Sequence, residues 1–490
     1  MDNGKGSIDF AQSTIDSLHQ VNVTEGVDVF IGDNASDYKV IIPFNATPKL
    51  VEAAEFFADY CEKATGVRLV IENAFAGEWN EDCKWIIFGC DNLFVAAGLI
   101  MPQQDIGATG YYIKTVGKSV FVAVNGEHAY RRAVLCLLHH ILGYERYAAD
   151  TIVFEKESRK LPVMDIVERP DFDFYTDLDG FSGDGYYGMG FDHPIYIPTG
   201  NVGHFHNSFV LLPPDLYAEK HPAWYGETKE QLCYTAHGDK EEYSLMVKTM
   251  AESLIKYIES DPDKCNITMT QEDNWALCEC EACRKSREKY DGANSAAIIK
   301  FTNAVDNAVQ DYFQKKAEAL GGRKREINIV FFAYQNTEKP PVRECENGDY
   351  FPIDDSVICN KNVGVYIAPI IAKYHKSFYD EINIDAARNM RQWGACCKKL
   401  HVWLYDTNYA QYLFPFNTFE TIVDTYRFCK NVGAYYMLVE GQHNQDNAPG
   451  FMKLKDYLNS KALFDLNCDY NKILDDFFCG IFWSSFQADA

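Results

Sequence analysis

Ile327-Asn328-Ile329-Val330-Phe331-Phe332-Ala333 is a short, almost unbroken apolar run. It is too short for a buried helix and predicts a strand covered on both faces. Upstream lies Ser295–Leu320, a long amphipathic helical pattern, and before that a second strand-like run, Asn266-Ile267-Thr268-Met269-Thr270-Gln271. Strand, helix, strand is the repeat of a parallel α/β architecture. Working outward, further strand-like runs are Asp171–Thr176, Pro194–Thr199, Gln231–Ala236, Val363–Ala368, Leu400–Tyr405 and Tyr435–Val439. Helical patterns fall at Glu241–Glu259, Asp385–Lys398, Thr418–Asn431 and Phe451–Leu463. Eight strands with intervening helices predict an α/β fold of the (β/α)8 TIM-barrel type. An open doubly wound sheet is disfavoured, because no strand is followed by a Gly-rich phosphate turn.

The first third of the chain reads differently. Val27–Ile31, Tyr38–Ile42, Trp85–Gly89, Gly110–Lys114 and Val120–Val124 are strand-like. Two helical patterns accompany them. One opens at Thr47-Pro48 and stops before Gly66, the other runs from Ala129 to Leu142 and stops at Gly143. This predicts a small α+β domain over 1–165 and a barrel over 166–490, with Glu168-Arg169-Pro170 at the joint.

The length, 490 residues, and a 47% hydrophobic content suffice for two packed cores. The formal charge of −25 (46 Lys and Arg against 71 Asp and Glu) argues against a phosphate-binding basic face, so neither nucleic acid nor an anionic membrane is an expected partner. No stretch approaches the roughly 20 apolar residues of a membrane span, and Met1–Gln20 has no signal-peptide core. The chain as written is expected in the cytoplasm, with a trimmed secreted protein reading the same way. The 16 cysteines are scattered and read as reduced, packed thiols.

Chemistry is expected at the carboxyl ends of barrel strands. The first strand leads into Asp177, Asp179 and a Gly-rich loop to Gly190, and the second into Gly203-His204-Phe205-His206-Asn207. The fourth leads into Gln271-Glu272-Asp273-Asn274, the fifth into Tyr334-Gln335-Asn336, the seventh into Trp403, Tyr405, Asp406 and Asn408, and the eighth into Glu440, Gln442 and His443. Carboxylates, amides and aromatic rings on one rim suit a sugar site. Glu272 and Asp273 could serve cleavage of a glycosidic bond, one acid donating to the leaving oxygen and one carboxylate staying ionised. They could equally be a turn that ends a strand and caps a helix. Because adjacent strand residues point to opposite faces, only one faces a pocket if the strand stays regular, and Glu440 then becomes the second carboxylate. Cys278-Glu279-Cys280-Glu281-Ala282-Cys283 has three ligand-type cysteines, but a structural zinc site needs four ligands and no second paired motif follows. Neither metal nor cofactor is therefore expected.

Several segments carry a resemblance. They are Tyr60–Gly66, Ala129–Ala133 with Leu142–Tyr147, Gly203–Asn207 with Leu212-Pro213-Pro214 and His221–Tyr225, Gln271–Asn274 with Cys280 and Cys283, Ala333-Tyr334-Gln335 with Pro340-Pro341, and Val402–Tyr405. Their order and spacing resemble the family-163 glycoside hydrolases, a bacterial group first catalogued as domain of unknown function 4838. Ala223 stands where that family usually has Glu. The resemblance implies a TIM barrel preceded by a small α+β domain like that of β-hexosaminidases and α-glucuronidases. It also implies an endo-β-N-acetylglucosaminidase-like hydrolase of N-glycans, retaining, with the substrate's 2-acetamido oxygen as nucleophile. On this resemblance Glu272 is the general acid, Asp273 the carboxylate that orients the acetamido group, and His206, Asn207, Tyr334, Trp403, Tyr405 and Glu440 bind the oligosaccharide. A glycosidase of another specificity, α-glucuronidase-like, and a non-catalytic carbohydrate-binding protein are the alternatives. The first is disfavoured because the strand ends offer almost no Arg or Lys to pair a uronate.

Overall fold

The computed structural model describes residues 15–32, 35–102, 105–127, 129–148, 151–154, 160–172, 174–177, 206–260, 266–411, 414–441 and 451–488. The expected strand Pro194–Thr199, Asp179 and the loop to Gly190, the segment 203–205, Gln442 and His443 lie outside these. In chain order the strands are β1 Leu18–Thr24, β2 Lys39–Ile42, β3 Val70–Asn73, β4 Trp85–Phe88, β5 Tyr111–Val116, β6 Ser119–Val124, β7 Tyr144–Ala148, β8 Thr151–Phe154, β9 Val163–Arg169, β10 Phe174–Asp177, β11 Asn266–Thr268, β12 Asn328–Ala333, β13 Val342–Glu344, β14 Tyr350–Pro352, β15 Val363–Ile367, β16 Leu400–Tyr405 and β17 Ala434–Glu440. The helices are α1 Pro48–Thr65, α2 Asp91–Ala96, α3 Ala129–Leu142, α4 Ser208–Leu211, α5 Pro214–Tyr217, α6 Lys240–Ser260, α7 Glu281–Lys289, α8 Ser295–Leu320, α9 Ile384–Cys396, α10 Ile422–Asn431, α11 Met452–Phe464 and α12 Tyr470–Ala488. None of the described helices is long and apolar enough to cross a membrane.

The chain divides into two compact units. One comprises Met1–Asp192, Thr407–Arg427 and Gly441–Ala490, the other His193–Asp406 and Phe428–Glu440. The first unit holds a seven-stranded mixed sheet in the order β1-β9-β5-β6-β4-β2-β3. Helices α1 and α3 pack on it through Leu50, Ala54, Phe57, Val134, Leu137 and Ile141. Helix α1 begins where Thr47 accepts from the Leu50 amide and ends where Gly66 takes a left-handed backbone, φ 76°, donating to the Glu62 carbonyl. The expected strand Val27–Ile31 is reduced to a single bridge between Val29 and Lys160. Within the same unit the buried Asp171 carboxylate accepts from the Ser17 hydroxyl at 2.8 Å and the Leu466 amide at 2.7 Å, joining residues remote in sequence.

The second unit contains β11, β12, β15, β16 and β17 as neighbours in that order, all parallel. Successive strands lie side by side without the order reversal of a doubly wound sheet. The result is a half-barrel of parallel sheet, and a closed eight-stranded barrel is not seen among the described residues. The outer face packs on helices, with Ile267, Met269 and Ile329 against Met246, Leu254, Phe301 and Val305 of α6 and α8. The inner face is aromatic. Phe332, Tyr366, His401, Trp403 and Tyr436 form a continuous ring cluster with centroid separations of 5.1–6.0 Å.

Two readings are corrected. Gln231–Ala236 is not a strand. Its one ladder contact is the bridge Tyr225–Leu232, and Ala236 and His237 have left-handed backbones, because Gln231 and Cys233 are drawn to the 272–283 loop. Strand β11 ends at Thr268 instead of Gln271, because beyond it the Asn207 side chain takes the place of a neighbouring strand.

Candidate active site

Asn207 is fully buried. Its amide nitrogen donates to the Thr268 carbonyl at 3.0 Å and the Thr268 hydroxyl at 2.8 Å, and its oxygen accepts from the Thr270 amide at 2.9 Å. All of this capacity faces the end of β11, so Asn207 holds the strand end.

Past Thr270 the backbone leaves the sheet. The Gln231 side chain grips it from the side: Nε2 donates to the Glu272 carbonyl at 2.7 Å, and Oε1 accepts from the Glu272 amide at 3.1 Å. The two carboxylates then diverge. Glu272 turns toward α4, where Oε1 accepts from the Ser208 hydroxyl at 2.8 Å and the Phe209 amide at 2.9 Å. Asp273 is exposed and accepts from Gln335 Nε2 at 3.2 Å. Gln335 is one of the few non-glycine residues with a left-handed backbone, φ 51°. Such conformations cost of order 1–3 kcal/mol and persist where surrounding structure fixes them.

On the inner face of the sheet, Trp403 Nε1 donates to the buried Glu440 carboxylate at 2.7 Å. Residues 401, 403 and 405 share one face of β16, as do 436, 438 and 440 of β17. Burial, with the Asp273 and Glu440 charges beside it, raises the Tyr334 phenol above its ordinary range. Burial, then Glu440, Tyr334 and Asp273, does the same to Tyr405. Both phenols therefore stay protonated at neutral pH and can donate. His206 joins the group: Nδ1 donates to the Gln271 carbonyl at 2.8 Å, and its ring lies 5.0 Å from Phe332 and 6.2 Å from Tyr334.

The structure thus brings together His206, Asp273, Tyr334, Trp403, Tyr405 and Glu440 of the expected set. It turns Glu272 to α4 and buries Asn207. Trp275, two residues further along the chain than Asp273, is 71% exposed. Ser208 and Gln231, which fix Glu272, have no signal in the sequence, because single polar residues in loops carry no pattern. The same loop places Cys233 against Cys278, Cys280 and Cys283, a grouping that the spacing of the last three alone does not disclose.

The family model described as a domain of unknown function, DUF4838, matches residues 182–486. No curated protein matches the chain. Among solved structures, the one described as CpGH84D aligns over 94% of this chain and 70% of its own, at 10% identity and a TM-score of 0.49. A beta-N-acetylhexosaminidase from Bacteroides fragilis aligns over 96% and 94%, at 10% identity and 0.45. A GH20 exo beta-N-acetylglucosaminidase from Vibrio harveyi, solved with N-acetylglucosamine, aligns over 95% and 76%, at 9% identity and 0.42.

Proposed function

The chain belongs to the DUF4838 family, and from that premise we propose that it is a glycoside hydrolase that cleaves N-acetylglucosamine-containing glycans with retention. The observation that carries this reading is the aromatic floor with the Trp403-bound Glu440 carboxylate on it, and with Asp273 near enough that both charges act on the Tyr334 and Tyr405 phenols. Aromatic faces hold the apolar faces of sugars, and two carboxylates of unlike surroundings suit the two roles of glycoside cleavage.

Asp273 and Glu440, the latter with one oxygen held by Trp403, are assigned the two carboxylate roles. The substrate's acetamido oxygen attacks the anomeric carbon, and the bond to the leaving oxygen breaks as that oxygen takes a proton from one of them. The other, ionised, accepts a hydrogen bond from the acetamido N–H and balances the positive charge that develops there. Water then adds at the anomeric carbon, its proton passes to the carboxylate that gave one up, and the acetamido group is restored. Glu272, anchored by Ser208 and Phe209, is a positioning residue for the turn. In this reading Glu440, the expected alternative second carboxylate, takes the place of Glu272 beside Asp273.

The test uses a chromogenic N-acetyl-β-glucosaminide and a complex N-glycan, with product followed by mass. Asp273→Asn and Glu440→Gln are each expected to lower kcat/KM by about a hundredfold or more, and Glu272→Gln by much less. Loss in Glu272→Gln as large as in Asp273→Asn overturns the assignment of roles. Absence of hydrolysis of either substrate by the folded wild type overturns the proposed activity.

A further inference from the structure

The carbohydrate reading leaves one cluster unused. Cys278, Cys280 and Cys283 follow the Glu272–Asn274 turn, and the loop 225–238 brings Cys233 onto them. Cys233 Sγ lies 3.8 Å from Cys280 Sγ and 3.6 Å from Cys283 Sγ. The donor atoms of Cys233, Cys278 and Cys280 all lie within 4.8 Å of one another. We propose that Cys233, Cys278, Cys280 and Cys283 form a tetrahedral structural zinc site.

The spacing selects the ion. Four thiolates at the usual zinc–sulfur distance of about 2.3 Å stand about 3.8 Å apart at the corners of a tetrahedron. The two sulfur separations above match that edge. A cluster of several irons would hold its thiolates much further apart, and bonded disulfides would bring them far closer. A small soft divalent ion fits, and zinc is the one that takes four thiolates without redox chemistry.

The surroundings suit thiolates. The His237 amide points at Cys233 Sγ at 3.3 Å, and the Cys283 amide at Cys280 Sγ at 3.4 Å, where Cys280 caps the start of α7. Amide donors to ligating sulfurs and a helix N-terminus both offset negative charge. The Thr235 hydroxyl lies 3.1 Å from Cys283 Sγ. His237 also falls within reach of three of the cysteines, and its Nε2 donates to the Tyr225 carbonyl at 3.0 Å; Cys283 is taken as the fourth ligand because its sulfur stands at the tetrahedral edge distance from Cys233, with His237 the competing ligand that the test separates. Four sulfurs leave no open position for water, which makes the site structural and not catalytic.

Its consequence is local. The Gln231 that grips Glu272 lies two residues before Cys233, and the turn carrying Asp273 ends four residues before Cys278. Cys278 and Cys283 line one cavity with Gln271, Asn274, Tyr334 and Gln335. The ion would tie the loop 225–238 to the loop 274–283 and so hold the turn from below. The inference does not depend on what that turn catalyses.

The test is metal content of the full chain purified without chelator. Elemental analysis is expected to give one zinc per chain. Refolding with cobalt in its place is expected to give the visible bands of tetrahedral thiolate cobalt. Cys233→Ser and Cys283→Ser should each lose most of the zinc, while the exposed Cys345→Ser keeps it. A wild-type chain that holds no zinc and takes up neither zinc nor cobalt overturns the proposal, as does zinc retained in both ligand variants. Zinc kept in Cys283→Ser but lost in His237→Ala overturns the four-cysteine ligand set. If the ligand variants fail to fold, the wild-type stoichiometry and the cobalt spectrum still decide.

Discussion

Replacing Asn207 by Ala separates a strand-holding role from a sugar-binding one. The side chain is fully buried and satisfies the Thr270 amide at 2.9 Å and the Thr268 carbonyl at 3.0 Å. The Thr268 and Thr270 hydroxyls can turn to other partners, but the two backbone groups cannot. Each buried backbone group left unpaired costs about 1–3 kcal/mol, so Asn207→Ala is expected to destabilise by about 4 kcal/mol. For a unit of roughly 200 residues that is a fall in Tm of about 10 °C. Urea unfolding followed by tryptophan fluorescence, read as a midpoint shift at constant slope, measures it. Asn207→Asp keeps the shape but sets an oxygen against the Thr268 carbonyl, and should lose a comparable amount. A shift below about 1 kcal/mol in Asn207→Ala, together with weakened glycan binding by the folded variant, would refute the reasoning and return Asn207 to the substrate site.

Other consequences follow from single contacts. Trp403→Phe keeps the aromatic floor but removes the 2.7 Å donor to Glu440. Hydrogen bonds to charged groups contribute about 1.5–3 kcal/mol, so kcat/KM should fall roughly tenfold to a hundredfold with little change in fold, which steady-state kinetics and circular dichroism check together. His401 is buried among Tyr366 and Tyr436, and burial with Lys399 nearby lowers its pKa from 6.5 to about 3. A base depressed in the folded state stays neutral there while the unfolded chain takes a proton. Its contribution is present above pH 6.5 and is lost as pH falls toward 3, by at most about 5 kcal/mol. His401→Leu should flatten the stability profile over that window in urea titrations, and an unchanged acid limb would refute the assignment.

The family of the chain and the parallel winding of its second unit are legible in the residues. Ile327–Ala333 and Leu400–Tyr405 read as strands because apolar runs this short, set between long helical patterns, favour a covered strand over a buried helix. The helix bounds at Thr47 and Gly66 were equally local, set by a cap and a left-handed glycine. The rim residues Tyr334, Trp403, Tyr405 and Glu440 could be named because they stand at the carboxyl ends of strands that are themselves local features of the sequence. What local rules could not reach was decided by loops that meet from distant parts of the sequence. The divergence of Glu272 and Asp273 depends on Ser208 and Phe209 supplying donors to the one and Gln335 to the other. The fourth sulfur beside Cys278, Cys280 and Cys283 comes from Cys233, 45 residues before the first of them. Sequence spacing records how far apart residues lie along the chain, and only folding brings their side chains to within bonding distance.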